Sequence, residues 1–265
     1  MKQFLPASLP GPDGIIRLCG NDYNYLVRVR RLKPGKKIKA VLPDGTESEL
    51  TVLSVSDGTL TAQCGTPNQR CAGNSSIPPI SIFQALPKGS KMDLIIRQAT
   101  ECGISEIAPF ESEHSQVKAD VSAEKLRRWE RIIREARQQS GSPVSTMVKT
   151  PFSFDALLDY WDQLIREKPE GLGMFLHQSP VTPLEPQTFH HYLSNSPCFI
   201  VLVVGPEGGF SSSEAARFIE AGIKPVSLGD IILRTETAAL YGAAAVRVLL
   251  SENASWLAVK TQKQL

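Results

Sequence analysis

Strand-like and helix-like segments alternate along the chain from residue 80 onward. Short apolar runs occupy residues 80–86, 106–110, 144–148, 173–178, 198–204 and 224–228. The segments between and after them carry apolar residues at helical spacing, and the longest are 122–139 and 235–250. This alternation predicts an α/β fold with a mostly parallel sheet, because each connecting helix packs back onto a face of that sheet.

The first 72 residues have a different pattern, which predicts a small β-barrel. Strand-like runs within 36–65 are separated by Asp44-Gly45 and Asp57-Gly58. Asp-Gly pairs favour tight hairpin turns, because glycine tolerates positive φ. Residues 73–79 are rich in Gly, Ser and Pro, a composition typical of a linker. The predicted organisation is therefore a barrel at 1–72, a linker at 73–79 and a larger α/β domain at 80–265.

Charge and cysteine content limit the classes of function. Residues 1–74 hold ten Lys and Arg against six Asp and Glu, whereas the rest of the chain holds nineteen against twenty-one. A basic small module favours a polyanionic partner. The longest apolar run has seven residues, far below the roughly 20 that cross a bilayer, so we expect no membrane span. Five cysteines without a Cys-x-x-Cys pair predict reduced thiols, no metal site and a cytoplasmic location.

Most of the excess positive charge lies between Arg28 and Lys39, where seven of twelve residues are basic and none is acidic. Such a run suits contact with a nucleic-acid backbone, although a solvated strand and turn would have the same composition. The segment 122–139 is also basic, but Arg134 follows Glu130 by four residues, so part of its charge is expected to pair on the helix surface. The candidate RNA-binding residues are Arg28, Arg30, Arg31, Lys33, Lys36 and Lys37.

Three unusual segments follow strand-like runs late in the chain, namely Leu176–Gln178, Gly205–Phe210 and Leu228–Ala238. Ligands of an open α/β sheet bind beyond the carboxyl ends of its strands, so we expect these segments to meet at one pocket. The second segment, GPEGGF, has few side chains and leaves backbone amides exposed to a flat heterocycle. Ser211 and Glu214 fit a capping box, which would occupy the helix end that a phosphate needs. An ordinary tight turn is the alternative.

Arg234 stands at the start of the last helical segment. A cation is unfavourable at the positive end of a helix unless it faces a partner. A substrate carbonyl or phosphate is one candidate partner, and an ion pair with Glu207 or Glu236 is the other. The small residues of 239–246 on the same helix fit close packing, either inside the fold or against a second copy of the chain.

Several segments together resemble one protein family. The late motifs GPEGGF (205–210) and LGDIILRTETAAL (228–240) are similar to those of the knotted SPOUT-class RNA methyltransferases, and within them to the RsmE branch. LVRVRRLKPGKKI (26–38) resembles the N-terminal PUA-like barrel of that branch. Residues 84–110 and EARQQSG (135–141) resemble the corresponding parts of its catalytic domain, in the same order.

The resemblance implies a fold, a cofactor and partners. It implies a C-terminal SPOUT α/β trefoil-knot methyltransferase domain, a PUA-like barrel and a homodimer. It also implies S-adenosylmethionine bound in the knot, and methylation of a uridine N3 in 16S ribosomal RNA, either free or in the assembled 30S subunit. The positions that the resemblance assigns to the cofactor are Leu176, His177, Val204, Gly205, Pro206, Glu207, Gly208, Gly209, Leu228, Gly229, Leu233, Arg234, Thr235, Glu236, Thr237 and Ala238.

Arg234 and Glu236 are the candidate catalytic residues. The uracil N3–H is a weak acid, so Arg234 is predicted to stabilise negative charge that develops on O2 or O4. Glu236 or Glu207 is predicted to orient Arg234 or to accept the proton.

Two other functions stay open at this point. The chain departs from the family pattern at four positions where a basic residue is usual, which are Gln98, His114, Ser142 and Ile231. A methyl-donor-binding protein that contacts RNA during ribosome assembly without catalysis is one alternative. A methyltransferase that acts on another RNA, such as tRNA, is the second.

Overall fold

The computed structural model describes residues 3–43, 45–66, 77–178, 186–193 and 197–262, with the side chains of 253–262 left out. The chain divides into two compact units. One comprises residues 1–74 together with 134–143, and the other comprises 75–133 together with 144–265. The domain boundaries given by the sequence stay a prediction. Asp44, Cys71 and the linker residues 73–76 lie outside the described residues.

The N-terminal unit is built on a four-stranded antiparallel sheet in the order β1-β4-β3-β2. Gly58 has a φ of +78° in the turn between β3 and β4, as expected for the second residue of an Asp-Gly hairpin. Phe4 is fully buried against the sheet and pairs with Ala40 of β2. The strands are β1 (Ile15–Cys19), β2 (Lys37–Val41), β3 (Glu47–Ser56) and β4 (Thr59–Cys64).

A short helix, α1 (Gly20–Tyr23), and a π-helical segment (Asn24–Val29) connect β1 to β2. Residues 134–143 end the long helix α3 (Ala123–Ser140) and pack with this unit. Arg134 donates hydrogen bonds to Asp22 and, at 2.7 Å, to the carbonyl of Leu5. The predicted pair with Glu130 is therefore wrong, because the Arg134 guanidinium is held by groups from the start of the chain.

The larger unit contains a six-stranded sheet whose pairs are all parallel, in the order β10-β8-β9-β5-β6-β7. The strands are β5 (Ile80–Ala85), β6 (Glu106–Phe110), β7 (Met147–Val148), β8 (Leu172–Leu176), β9 (Ile200–Val204) and β10 (Lys224–Val226). The helices are α2 (Lys91–Glu101), the first part of α3, α4 (Phe154–Glu167), α5 (Phe189–Leu193), α6 (Ser212–Glu220) and α7 (Thr235–Gln262).

The sheet is covered on both faces, which explains the uninterrupted apolar run of β9. Ile200, Leu202 and Val204 pack in one hydrophobic core, and Val201 and Val203 pack in the other. Parallel sheets covered on both faces favour this kind of strand. The predicted parallel α/β architecture is confirmed. The predicted strands at 144–148 and 224–228 are shorter than expected, and α7 extends beyond residue 250.

The neighbours of β10 show how the end of the chain is arranged. β10 pairs with β8 on one side and with Gln187 on the other. The chain therefore leaves one side of β10 after Leu176 and is found on the other side at Gln187.

Helix α7 packs closely on β9 through its small residues. Ala239, Ala243 and Val246 are buried, and a Cβ added at Gly242 would lie 2.6 Å from Leu202 Cδ2. The small-residue face is thus used inside the fold. None of the described helices is long and apolar enough to cross a membrane.

Candidate functional site

The three late segments meet around one cavity of about 580 Å³ at the carboxyl ends of the strands. Every position assigned to the cofactor lines it except Gly229, Glu236 and Thr237. Four further lining residues, Gln178, Phe210, Ile231 and Ile232, belong to the three segments that the sequence predicted to meet, and the sequence reasoning missed only Lys91. Lys91 could have been found by the strand-end rule, because it follows the end of β5 at the same edge of the sheet.

The GPEGG loop needs a glycine at position 209 for its backbone conformation, and space is limited at positions 205 and 208. Gly209 has a φ of +68°, and its N–H donates to the carbonyl of Pro206 at 3.0 Å. A Cβ added at Gly205 would lie 3.4 Å from the Cα of Gly209, and one added at Gly208 would lie 3.0 Å from His114 Cβ. The loop is therefore a tight backbone surface that faces the cavity with few side chains.

His114 supports this loop from outside the cavity. Its Nδ1 lies 3.2 Å from the carbonyl oxygen of Gly208 and 3.1 Å from that of Gly209. Both partners are acceptors, so Nδ1 carries the proton and donates. The imidazole thus fixes the orientation of two peptide groups in the loop.

Glu214 ties the following helix to the same region. Its carboxylate is buried and accepts hydrogen bonds from the N–H of Glu113 at 2.9 Å, the hydroxyl of Ser112 at 3.1 Å and the N–H of Ser211 at 3.0 Å. Ser211 accepts in return from the N–H of Glu214, so the predicted capping box is confirmed. The N–H of Ser211, at the N-cap, and that of Glu214, in the first turn of α6, are therefore engaged by protein side chains.

A buried hydrogen-bond chain fixes the start of α7 against the GPEGG loop. Gln84 Nε2 donates to Thr235 Oγ1 at 3.0 Å, and Thr235 Oγ1 donates to the carbonyl of Gly205 at 2.6 Å. Gln84 is completely buried in β5, and Thr235 is also buried. The chain links the ends of two adjacent strands to the helix that carries Arg234.

Lys91 joins the two carboxylates of the site. Its ammonium lies 2.7 Å from Glu207 Oε1 and 3.8 Å from Glu236 Oε2. The hydrogen bond to Glu207 raises the pKa of Lys91. Burial opposes ionisation of Glu207, but the hydrogen bonds from Lys91 and from the backbone outweigh it, so the pKa of Glu207 is lowered. Both carboxylates are therefore held near a fixed positive charge.

Arg234 lines the cavity and is exposed. Across the described part of the chain, no carboxylate lies within ion-pair distance of its guanidinium, because Glu207 and Glu236 face Lys91 instead. The ion pair that the sequence left open for Arg234 is thus absent. Glu236 does not line the cavity, and its Oε2 is buried without a hydrogen-bond partner.

His177 lines the cavity next to the end of β8. Its backbone N–H donates to the carbonyl of Val226 at 3.0 Å, which joins the end of β8 to the end of β10. Burial lowers the pKa of the His177 imidazole. The ring therefore favours its neutral form near neutral pH.

The basic residues between Arg28 and Lys39 are all exposed. Arg28 lies in the last turn of the π-helical segment, and Arg31 adopts a φ of +54° just after that segment. Lys37 pairs with Glu49 at 2.7 Å on the neighbouring strand. The exposed basic residues of this stretch are Arg28, Arg30, Arg31, Lys33, Lys36, Lys37 and Lys39.

A search for metal ligands gives no candidate. Within the parts of the chain that the structure describes, no three or more His, Cys, Asp or Glu side chains are grouped so as to hold a metal ion.

Comparison with known proteins agrees with this architecture. An RNA methyltransferase domain family matches residues 74–247, and an RNA methyltransferase PUA domain matches residues 18–63. The chain is 32% identical over 241 residues to ribosomal RNA small subunit methyltransferase E of Synechocystis sp., a match that covers 90% of this chain and 74% of the relative. It is 30% identical to the protein of the same name in Bacillus subtilis, with 86% of this chain and 88% of the relative covered.

A solved structure has the same fold. The ribosomal RNA small subunit methyltransferase E of Neisseria gonorrhoeae, bound to S-adenosyl methionine, matches with a TM-score of 0.78 and 25% identity. The match covers 94% of this chain and 98% of that one.

Proposed function

Because this chain belongs to the RsmE family of RNA methyltransferases, we propose that it transfers a methyl group from S-adenosylmethionine to N3 of a uridine in small-subunit ribosomal RNA. The observation that carries this proposal is the cavity at the carboxyl ends of the strands. It combines a glycine-rich backbone surface with Arg234, which pairs with no carboxylate among the described residues.

The cavity fits an adenosyl methyl donor in size and lining. Its volume of about 580 Å³ is in the usual range for sites of small organic ligands. Leu176, Leu228 and Ala238 offer apolar surface for the adenine, and the GPEGG loop offers backbone groups for its polar edge. When bound, the cofactor supplies an electrophilic methyl group on its sulfonium.

Arg234 is the residue that we assign to charge stabilisation. Transfer to N3 requires loss of the N3 proton, and the negative charge then spreads onto O2 and O4 of the uracil. A guanidinium that is not committed to a carboxylate can stabilise that charge directly. Glu207 lines the same cavity, but its lowered pKa makes it a weak base, so we assign it no net uptake of the proton. The N3 proton passes to solvent water as the methyl group leaves the sulfonium, and S-adenosylhomocysteine is the leaving group. The barrier is therefore reduced mainly through stabilisation of the uracil anion.

Glu236 acts indirectly in this proposal. It lies outside the cavity lining and within ion-pair distance of Lys91. We assign it, with Lys91, to positioning. The other positions that the resemblance assigns to the cofactor complete the proposed site. Among them, Gly229 and Thr237 are exposed and lie outside the cavity lining.

The exposed basic residues of the N-terminal unit support its assignment as the RNA-holding module. Seven cations lie between Arg28 and Lys39, and among them Lys37 is paired with Glu49. Cationic side chains of this kind bind phosphates without regard to sequence. N3 lies on the pairing edge of uracil, so the target base has to be unstacked before it enters the cavity.

A homodimer is also part of the proposal. Ile231 and Ile232 are 71% and 83% exposed, and Tyr241 and Val248 on α7 are more than half exposed. Large apolar side chains that stay exposed are typical of an interaction surface when they form a patch. A second copy of the chain is the partner that we propose for it. We also propose a cytoplasmic location, because the proposed substrate is ribosomal RNA.

Two measurements test the proposed function. Calorimetry with S-adenosylmethionine should show binding at a single class of site. Labelled methyl transfer should modify isolated small subunits or their RNA, but not tRNA, and nucleoside mass spectrometry should identify the product as 3-methyluridine. Binding without transfer would instead support a non-catalytic RNA-contact protein, and transfer to tRNA would support another substrate.

A further inference from the structure

A second cavity, of about 650 Å³, lies in the larger unit between the start of α2 and the first half of α3. It is basic. Four cationic side chains and two carboxylates line it, which gives a formal charge of +2 from four minus two. The charged lining residues are Lys125, Arg127, Arg128, Arg131, Asp93 and Glu124. We call this cavity the α2–α3 groove.

The one partly buried carboxylate that lines the groove, Asp93, is held by two side chains of α3. Asp93 accepts a hydrogen bond from the indole Nε1 of Trp129 at 3.1 Å and pairs with Arg128 at 2.6 Å. The Arg128 guanidinium is therefore oriented by Asp93, while its side chain stays 57% exposed. A preorganised arginine loses less conformational entropy when it binds an anion.

The other cations of the groove are also placed by the fold. Lys125 lies over the ring of the buried Trp129, with its Nζ 5.4 Å from the ring centroid. Arg127 is exposed, and within the described residues no carboxylate lies within ion-pair distance of it. The groove thus presents positive charge on a rigid helix rather than on a loop.

The groove adjoins the proposed active site. Gly89 and Ser90 line the α2–α3 groove, and the next residue, Lys91, lines the catalytic cavity. Consecutive Cα atoms are about 3.8 Å apart, so the two cavities meet at the start of α2. A polyanion in the groove would therefore pass close to Lys91 of the catalytic cavity.

We infer that the α2–α3 groove binds the phosphodiester backbone of the RNA strand beside the target nucleotide. The inference rests on the proposed function for the identity of that strand. It adds a contact surface on the methyltransferase unit to the basic stretch of the N-terminal unit. Arginine suits this role because its planar guanidinium can donate two parallel hydrogen bonds to one phosphate.

The salt dependence of RNA binding tests the groove. The full-length protein is titrated with a fluorescent single-stranded oligouridine at several salt concentrations, and anisotropy gives the affinity. The plot of log K against log salt has a negative slope, and each lost phosphate contact should reduce its magnitude by about 0.7. The affinity then changes roughly fivefold less for each tenfold change in salt concentration. Arg127→Ala and Arg128→Ala should each show this loss, and Arg127→Lys should retain most of the slope.

Arg166→Ala is the matched control. Arg166 is an exposed residue in the last turn of α4, away from both cavities, so its removal changes the net charge equally and should leave the slope unchanged. If both groove variants keep the wild-type slope, the inference is wrong. If uridine monophosphate competes as well as the oligonucleotide, the groove is a site for small anions and the inference is also wrong.

The test separates this inference from the proposed function. Oligouridine binding does not depend on catalysis, so a reduced slope in a protein that transfers no methyl group would keep the groove and overturn the proposed function. Normal methyl transfer with unchanged slopes in the groove variants would keep the proposed function and overturn the inference about the groove. Thermal melting of each variant shows whether it is folded. Arg127 makes no ion pair with a described residue, so Arg127→Ala still tests the groove if Arg128→Ala proves unstable.

Discussion

The ammonium of Lys91 lies 2.7 Å from the carboxylate of Glu207. Lys91 follows β5, and Glu207 follows the adjacent strand β9. This pairing decides the electrostatics of the site, because it engages a carboxylate that would otherwise be available to Arg234. Glu236 lies within ion-pair distance of the same ammonium. A single lysine at the start of α2 therefore leaves the Arg234 guanidinium uncommitted.

Replacing Lys91 should lower methyl transfer without abolishing cofactor binding. In Lys91→Met, Glu207 and Glu236 lose their shared cation and can attract Arg234 away from the uracil. We expect kcat to fall by up to about 100-fold, the usual effect of a misplaced catalytic group. Lys91→Arg should restore part of the rate. Lys168→Met, which removes an exposed lysine just after α4, should behave like wild type. An unchanged kcat in Lys91→Met would rule out this role.

Replacing Arg234 should abolish most of the catalysis. Loss of a single group that stabilises developing negative charge costs about 10²- to 10³-fold in rate. We expect that loss for Arg234→Ala in single-turnover methyl transfer, while calorimetry shows an affinity for S-adenosylmethionine within a few-fold of wild type. Arg166→Ala is again the control for loss of one arginine. A fully active Arg234→Ala protein would contradict the assignment.

Gly209 and Gly222 allow backbone strain to be separated from cofactor binding. They have φ values of +68° and +81°, and a Cβ at either would meet no atom within 4 Å. Gly209→Ala and Gly222→Ala should each lower the free energy of unfolding by about 1–2 kcal/mol, because an L side chain is strained in this region. Only Gly209→Ala should weaken cofactor binding, since Gly222 follows α6 outside the cavity. Equal affinities in the two variants would show that the GPEGG loop is not the cofactor surface.

The buried chain from Gln84 through Thr235 to Gly205 should behave as a coupled unit. Thr235→Val keeps the shape of the side chain but removes one of the two acceptors of Gln84 Nε2, whose other acceptor is the Ala85 carbonyl, and removes the donor to the Gly205 carbonyl. We expect a loss of about 1–3 kcal/mol in the free energy of unfolding, measured by urea denaturation. Adding Gln84→Leu should cost less than the sum of the two single changes, because the second change removes a buried donor that the first leaves with one acceptor fewer. Additive effects would mean that the two side chains do not interact.

His177 should make stability depend on pH. Burial lowers its pKa, so the folded state binds fewer protons than the unfolded state once the pH falls below the ordinary histidine value of about 6.5. Stability should then decrease as the pH falls from about 6.5 through the folded pKa, and the slope should flatten below it. His177→Gln should remove this component from the denaturation profile between neutral and mildly acidic pH. His190→Gln, at an exposed histidine, provides the comparison.

The sequence indicated the architecture well because its strongest signals are local. The apolar run at 198–204 is a property of adjacent residues, and it marks a strand buried on both faces. The convergence of Leu176, Gly205 and Leu233 also followed from sequence order, since parallel strands align their carboxyl ends on one edge of a sheet. Element ends were less well predicted, as the strand at Met147–Val148 shows, because two residues are enough to pair with β6 once neighbours supply the burial.

What the tertiary structure alone decided is which charged side chains meet. Lys91 and Glu207 are 116 residues apart, and Arg134 binds Asp22 across 112 residues. Long side chains choose among many possible partners, and the choice depends on positions that are set only when the backbone has packed. Sequence order determined where the site lies on the sheet. Folding determined that Lys91 engages the carboxylates and that Arg234 is left available for chemistry.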